Sequence, residues 1–221
     1  MNYLTSQLLN SEELEIIRNN LNKQELSWED GKRTAGKHAA EVKNNLQLKR
    51  DSDLSRKFSG LITQKILSNE LIKSFALPKK IHGTIFSKTT NGMKYGRHID
   101  NAYMSSGRAD LSFTTFLHCK ESYEGGELSI ESFNTKEKFK LDAGEIIIYP
   151  STYLHSVEEV ISGERLVFIG WIESYVKSVE EREYLFDLDA AARSLLHKYG
   201  RSEEVDLLFK SYSNLLRRLG N

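Results

Sequence analysis

The sequence predicts a mainly β fold with flanking helices, built as an antiparallel sandwich or barrel such as a jelly roll. Between residues 80 and 176, short apolar stretches alternate with a period of two and are separated by Gly, Asn and Asp turns. The stretches before and after this region have helical periodicity instead. The only prolines are Pro78 and Pro150, so no proline-rich linker divides the 221 residues into independent domains.

Residues 1–79 are expected to form a helical region that supports the β core. A first helix is predicted over residues 9–22, where Asn10 and Glu13 have the spacing of a capping box. A second helical stretch begins near residue 52. It should end before Pro78, because proline cannot donate the next helical hydrogen bond.

Residues 80–176 are expected to form the β core. Alternating side chains on a strand point to opposite faces of a sheet, and this alternation is clear around Ile81, Gly83 and Ile85. Further strands are predicted over residues 111–117, 128–130, 138–141, 145–149 and 166–172. Many short strands of this kind favour two packed antiparallel sheets.

Residues 177–221 are expected to form a C-terminal helical appendage. Apolar side chains recur at helical spacing from Leu185, Gly200 suits a helix end, and Ser202 suits the start of a last helix. That last helix carries an apolar stripe made of Leu208, Tyr212, Leu215 and Leu219. The stripe either covers the β core or forms the seam of a homodimer, and the sequence leaves both alternatives open.

The composition argues against several classes of function. Lys plus Arg and Asp plus Glu both number 31, so no net charge draws the chain to nucleic acid or to an anionic membrane. The nearest approach to a basic patch, Lys43, Lys49 and Arg50, is interpreted as solvated surface. The strongest apolar run, residues 146–149, is too short to cross a bilayer, and no signal-peptide pattern opens the sequence. With Cys119 as the single cysteine, a cytoplasmic protein is expected.

Two histidines and one aspartate have the spacing of a metal centre. In the segment His98-Ile99-Asp100, both polar side chains point to the same side if the segment is a strand. His155 follows an apolar run that ends at Pro150, so it is expected near a rim of the fold. Two imidazoles and a carboxylate form the facial triad that leaves positions open on non-haem iron(II). The sequence therefore predicts an iron site at these three side chains.

Arg165 follows His155 by ten residues and is predicted to fold back beside it on a β-hairpin. A planar guanidinium there can hold a carboxylate through two parallel hydrogen bonds. An ordinary ion pair with Glu159 or Glu164 is the competing interpretation. A buried cation at the start of an apolar strand would, however, need a carboxylate partner, which an incoming dicarboxylate would supply.

The remaining histidines and the cysteine are not assigned to chemistry. His38, His82, His118 and His197 have no partners at ligand spacing and are interpreted as structural or exposed. Cys119 lies in a strand pattern and is interpreted as a small core residue. Two alternatives to an oxygenase stay open: a hydrolase or isomerase that uses the triad for zinc, and a non-catalytic jelly-roll module with a structural metal.

A series of motifs along the chain resembles a known enzyme family. The motifs are Tyr95-Gly96-Arg97-His98-Ile99-Asp100, Glu124-Gly125-Gly126-Glu127-Leu128, Tyr149-Pro150-Ser151 with His155, Gly163-Glu164-Arg165 and Trp171-Ile172. They are similar to motifs of the iron(II)- and 2-oxoglutarate-dependent dioxygenases of the prolyl 4-hydroxylase type, and most closely of the bacterial PKHD-type hydroxylases. Residues 41–45 and the tail from residue 202 extend the resemblance over nearly the whole chain.

The resemblance implies a double-stranded β-helix core with iron(II) on His98, Asp100 and His155, and with 2-oxoglutarate on Arg165. It also implies that O2 is consumed and that L-ascorbate is a supporting reductant. The substrate is expected to be a small molecule or a peptide, and its hydroxylation to be linked to iron uptake.

Two further residues enter as candidates for the pocket. Tyr95 lies three residues before His98, on the opposite face of a regular strand, so only a twist or a bulge would bring it to the co-substrate. Asn45 is a candidate wall of the substrate pocket by resemblance alone.

Overall fold

A computed structural model describes residues 3–23, 27–34, 36–132 and 134–221, with the backbone alone at residues 37 and 38. In chain order its strands are β1 (Leu4–Gln7), β2 (Trp28–Asp30), β3 (Lys43–Asn44), β4 (Leu46–Leu48), β5 (Pro78–Thr90), β6 (Lys94–His98), β7 (Tyr103–Met104), β8 (Gly107–Arg108), β9 (Leu111–Phe116), β10 (Tyr123–Gly125), β11 (Leu128–Glu131), β12 (Lys136–Phe139), β13 (Glu145–Pro150), β14 (Leu154–Val157) and β15 (Val160–Ser174). The α-helices are α1 (Ser11–Leu21), α2 (Lys37–Ala40), α3 (Asp53–Ser68), α4 (Glu70–Ala76), α5 (Val179–Tyr199) and α6 (Glu203–Leu219).

The strands form two main antiparallel sheets. The larger sheet runs in the order β1-β13-β9-β15-β5-β4-β2, with β10 also paired to β15. The smaller sheet runs in the order β12-β11-β14-β6-β3, and β7 and β8 form a separate hairpin. This arrangement, two sheets with helices packed around them, confirms the mainly β, jelly-roll class that the sequence predicts.

Strand β13 illustrates how alternation builds the layers. Ile146 and Ile148 belong to the apolar cluster that includes helices α1, α3 and α4. Ile147 and Tyr149 point the other way, into a second cluster that includes residues of the smaller sheet. Because both faces of β13 are covered, its residues 146–149 are all apolar instead of alternating between apolar and polar.

The N-terminal region contributes more than helical support. Asn10 and Glu13 form the predicted capping box at the start of α1. The second helical stretch is divided at Asn69, whose side chain caps α4, and Leu77 ends α4 with a φ of 45° just before Pro78. The short strands β1 to β4, which the sequence analysis did not predict, add edges to both sheets.

Two local predictions are wrong. Residues 154–174 do not form a hairpin, since β14 pairs with β11 and β6 in the smaller sheet, whereas β15 pairs with β5, β9 and β10. The turn after β14 therefore carries the chain from one sheet to the other. Cys119 is exposed, because β9 has already ended and the residue precedes a 3₁₀ turn at Lys120–Ser122.

Helices α5 and α6 pack on each other at the end of β15. Tyr212, Leu216 and Leu219 of α6 contact a cluster formed by Leu77, Val176 and Leu185. Two of the four predicted stripe residues, Tyr212 and Leu219, thus pack on the fold, while Leu215 stays 40% exposed. Among the described residues, no helix has both the length and the apolar character needed to cross a membrane.

Candidate metal centre

A cavity of about 460 Å³ contains the residues singled out from the sequence. Its lining includes His98, Asp100, His155 and Arg165, together with Tyr95 and Asn45. The histidines come from the smaller sheet and Arg165 from the larger one. The structure therefore brings all six predicted residues to one pocket.

Three candidate metal ligands converge at one end of this pocket. One donor atom from each of His98, Asp100 and His155 lies within 4.8 Å of the other two. His98 and His155 are directly opposite each other in the β6–β14 pair, and Asp100 lies just beyond the end of β6. A separation of this size allows one ion to contact all three donors.

Hydrogen bonds orient both histidines in the same way. The Nδ1 atom of His98 lies 2.8 Å from the carbonyl oxygen of Gly96, and that of His155 lies 3.0 Å from the carbonyl oxygen of Tyr153. A carbonyl can only accept, so Nδ1 carries the proton and Nε2 keeps a free lone pair. Burial, and after it the neighbouring His155, lower the pKa of His98 to about 4, which keeps His98 neutral near pH 7.

The carboxylate of Asp100 is held by Ser112 of β9 in the larger sheet. The hydroxyl of Ser112 donates to Asp100 Oδ2 at 2.6 Å and also lies 2.7 Å from the hydroxyl of Ser151. The same carboxylate oxygen is 3.7 Å from His155 Nε2. Outer contacts of this kind fix the direction in which a ligand presents its lone pairs.

Tyr95 reaches the site because the strand pairing is irregular. Between the His98–His155 pair and the Tyr95–Val157 pair, β6 has one more residue than β14. This bulge undoes the expected alternation, and the Tyr95 ring stacks on the imidazole of His98 with ring centres 3.6 Å apart. Burial raises the pKa of the Tyr95 hydroxyl, so this side chain stays neutral.

Arg165 faces the pocket as a buried cation. The residue is 2% exposed, its guanidinium lies 5.4 Å from the ring centre of Phe116, and its Nε has no hydrogen-bond partner within the part of the chain that the structure describes. Burial lowers the pKa of Arg165, and the hydroxyls of Tyr123 and Tyr149 offset part of that effect. A cation in this setting is suited to receive an anion from outside the chain.

Sequence reasoning missed two residues of the pocket and misread a third. Burial, and after it the charge of Asp100, raise the pKa of the Tyr149 hydroxyl, and the ring centre of Tyr149 lies 5.3 Å from that of His155. Its position in the quoted Tyr149-Pro150-Ser151 motif was a usable signal, whereas Ser112 had none. Lys43 is not solvated surface, since it is 5% exposed and lines the cavity.

The remaining candidates have local roles. Asn45 lines the cavity, but its Nδ2 donates to Ser87 at 2.7 Å. His82 is held between Ser106 and the carbonyl of Arg108, and the ring of His118 contacts the carbonyl of Glu164, as expected of structural histidines. His197 is exposed, and the side chain of His38 lies outside the described residues.

Family models and relatives identify the chain. The model of the 2OG-Fe(II) oxygenase superfamily matches residues 84–173, and that of the PKHD-type hydroxylase C-terminal domain matches residues 180–220. A PKHD-type hydroxylase of Prochlorococcus marinus (strain MIT 9215) is 73% identical over 220 residues, which cover 100% of both chains. The chain belongs to the PKHD-type hydroxylases. A PKHD-type hydroxylase is an iron(II)- and 2-oxoglutarate-dependent dioxygenase, so the zinc hydrolase and the non-catalytic module are no longer alternatives.

Solved structures share the fold of this PKHD-type hydroxylase. A Pseudomonas putida prolyl-4-hydroxylase matches with a TM-score of 0.56 and 16% identity over 78% of this chain and 92% of that chain. A Trichoplax adhaerens prolyl hydroxylase, solved in complex with a hypoxia inducible factor oxygen degradation domain peptide fragment, matches with a TM-score of 0.56 and 13% identity over 83% and 86% of the two chains. At these identities the likeness concerns the fold alone.

The donor set of the pocket fits the metal that the family requires. Two imidazole Nε2 atoms with free lone pairs and one carboxylate oxygen are the donor types of non-haem iron(II) sites. The cavity beside them leaves room for further ligands on the same ion.

Proposed function

We propose that this hydroxylase binds iron(II) through Nε2 of His98, the carboxylate of Asp100 and Nε2 of His155. The observation that carries the proposal is the convergence of these three donors, with both Nδ1 atoms already engaged by backbone carbonyls. An iron(II) ion held by these three side chains would keep positions open for a keto acid and for O2. When bound, iron(II) and 2-oxoglutarate supply the O2 activation that yields succinate, CO2 and a hydroxylated substrate.

Arg165 is proposed to hold the distal carboxylate of 2-oxoglutarate. Its guanidinium is buried on the sheet opposite the two histidines, and no ion pair neutralises it within the described ranges. A carboxylate there would receive charge-assisted hydrogen bonds in a site from which water is excluded. Tyr149 lines the same pocket, with its ring centre 5.3 Å from that of His155.

The metal assignment is tested by adding iron(II) and 2-oxoglutarate to the protein without oxygen. A keto acid chelated to iron(II) should produce a visible charge-transfer band, and succinate should form after oxygen is admitted. We expect His98→Ala to lose both signals, while the matched exposed variant His197→Ala keeps them. A His98→Ala protein with the band and turnover of the parent would remove His98 from the metal site.

The Arg165 assignment is tested separately. In Arg165→Met we expect the KM for 2-oxoglutarate to rise about 100-fold, because two charge-assisted hydrogen bonds are lost. Iron(II) affinity measured without the keto acid should stay the same, because the guanidinium is not a metal ligand. An unchanged KM for 2-oxoglutarate would assign Arg165 to a structural role.

The substrate class and the setting of the reaction are also proposals. We propose a small molecule or a peptide as substrate, since the cavity is large enough for either a compound or a single side chain. Ascorbate as reductant, a link to iron acquisition, a cytoplasmic location and a homodimer rest on the family resemblance and on the composition. The division at residues 1–79, 80–176 and 177–221 likewise remains a proposal, testable by limited proteolysis.

A further inference from the structure

The pocket of the hydroxylase contains more positive charge than its cofactors can neutralise. Among the described residues that line it, the cationic ones are Arg33, Lys43, Arg50 and Arg165, whereas Asp100 is the only acidic one. Iron(II) and doubly charged 2-oxoglutarate have opposite charges of equal size, so loading both leaves this excess unchanged. Something else with negative charge is therefore expected to bind in the pocket.

Lys43 is the most informative of these cations. It is 5% exposed, and its ammonium lies 4.8 Å from the centre of the Tyr95 ring and 3.4 Å from the hydroxyl of Thr34. No carboxylate of the described chain lies within ion-pair distance of it. Burial lowers the pKa of Lys43 to about 8, so the side chain is still mostly protonated at pH 7. Buried ammonium groups without an anionic partner are costly and therefore unusual.

Arg50 lies close enough to Lys43 to repel it. After burial, the charge of Asp100 raises the pKa of Lys43 and the charge of Arg50 lowers it, while burial lowers the pKa of Arg50 itself. Arg50 donates to the carbonyl of Gly83 at 3.3 Å and makes no ion pair with a described residue. Arg33 and Arg50 are both exposed, but Arg33 differs because it pairs with Glu29 at 3.3 Å. Lys43 is buried and Arg50 is exposed, and neither has an ion-pair partner among the described residues, so both positive charges are available to one anion in the cavity that they line.

We infer that the substrate carries an anionic group, a carboxylate or a phosphate, that binds between Lys43 and Arg50 while the carbon to be hydroxylated faces the metal. This inference rests on the proposed function, because it assumes that iron and 2-oxoglutarate occupy the other end of the pocket. Trp171 and Met104 also line the cavity and offer apolar surface to the rest of such a substrate. The anionic group meant here belongs to the substrate and not to 2-oxoglutarate, whose distal carboxylate is assigned to Arg165.

The test uses inorganic phosphate and acetate as minimal anions. The full-length protein is loaded with Mn(II) and saturating 2-oxoglutarate, and paramagnetic broadening of the phosphate ³¹P and acetate ¹³C signals is recorded. We expect saturable broadening of both signals in the parent protein. In Lys43→Met this broadening should be about tenfold smaller, because a charge-assisted contact is lost. The matched variant Lys49→Met, which removes an exposed lysine next to Arg50, should broaden the signals as the parent does. Comparing the two probes distinguishes a phosphate site from a carboxylate site.

A second measurement separates this inference from the proposed function. In Lys43→Met, iron(II) and 2-oxoglutarate should still give the charge-transfer band at the same concentration of keto acid as in the parent. If the parent itself lacks the band, the proposed function fails. If the band is present but the anions are not broadened, or are broadened equally in Lys43→Met, the substrate site between Lys43 and Arg50 is refuted. A raised 2-oxoglutarate requirement in Lys43→Met would also overturn it, by assigning Lys43 to the co-substrate.

Discussion

The two histidines proposed as iron ligands are oriented by the same kind of local hydrogen bond. In each, Nδ1 is bonded to the carbonyl oxygen two residues earlier, at Gly96 for His98 and at Tyr153 for His155. The backbone therefore selects the tautomer, and no distant side chain is needed. Asp100 has no comparable local partner, and its orientation depends on Ser112 of the other sheet.

This difference makes Ser112 a test of how the metal site is supported. Replacing Ser112 with Ala removes the donor to Asp100 and should raise the dissociation constant for iron(II) about tenfold, as loss of outer contacts does in other metal sites. Metal affinity is measured by anaerobic titration. The control Ser106→Ala removes a similar hydroxyl that contacts His82 instead. Unchanged affinity in Ser112→Ala would mean that Asp100 is oriented by other means.

Sequence reasoning singled out the three residues that converge in the structure, but not the residues that support them. His98, Asp100 and His155 stand out because metal chemistry needs particular residue types at particular spacings. Ser112 and Lys43 carry no such mark. Their roles arise from the pairing of strands that are distant in the chain, and a serine or a lysine is common at any surface.

Among the elements, β10 depends on a glycine. Gly125 has a φ of 74°, and a Cβ built there would overlap the carbonyl oxygen of Glu159. Because β10 pairs with the part of β15 that precedes Arg165, a shift of this pair would disturb the cationic end of the pocket. A larger residue at position 125 would therefore be strained in its backbone conformation and would also clash with its neighbour.

Gly92 is the matched control for this glycine. Its φ is 76°, but a Cβ there meets nothing within 4 Å. Gly92→Ala should therefore cost only the left-handed strain, about 1 kcal/mol of unfolding free energy. Gly125→Ala should cost about 1–3 kcal/mol more, since packing must also shift. Chemical denaturation measures both, and equal costs would show that the carbonyl of Glu159 moves freely.

Long elements were predictable and short ones were not. A period can be recognised in the long core strands β5, β9, β13 and β15 and in helices α1, α3, α5 and α6. Strands β1 to β4 have between two and four residues, and their sequence holds too few alternations to specify a strand. The wrong prediction of a hairpin between His155 and Arg165 has a related cause. A turn between two strands does not show whether the strands pair with each other or enter different sheets.

For the whole molecule, His98 makes the metal-free protein sensitive to acid. Its pKa is about 4 in the fold, against about 6.5 in an unfolded chain. Between these values the unfolded chain binds a proton that the folded chain does not, so stability falls as pH is lowered. We expect about 2 kcal/mol to be lost between pH 7 and pH 5. Urea unfolding should show this loss in the parent and less of it in His98→Gln; equal slopes would contradict it.

Lys43 should have a measurable effect on stability in the other direction. Its pKa of about 8 lies below the usual value, so its charged form destabilises the fold, with the full penalty present below pH 8 and absent above about pH 10.5. Lys43→Met should therefore raise the unfolding free energy at pH 7 by about 2–3 kcal/mol. This gain in unfolding free energy should be smaller at pH 10. A destabilised variant at pH 7 would mean that packing by the lysine outweighs its charge.

The chain crosses from one sheet to the other between β14 and β15, leaving the histidines and Arg165 on opposing layers. A keto acid bound by the metal at one end and by the guanidinium at the other would bridge the two sheets and hold them together. Occupancy should then slow amide hydrogen exchange in β11 and β5, strands that contribute none of the three proposed iron ligands and not Arg165 itself. In the resting enzyme the two sheets would separate transiently, and this motion would be suppressed once iron(II) and the keto acid are bound.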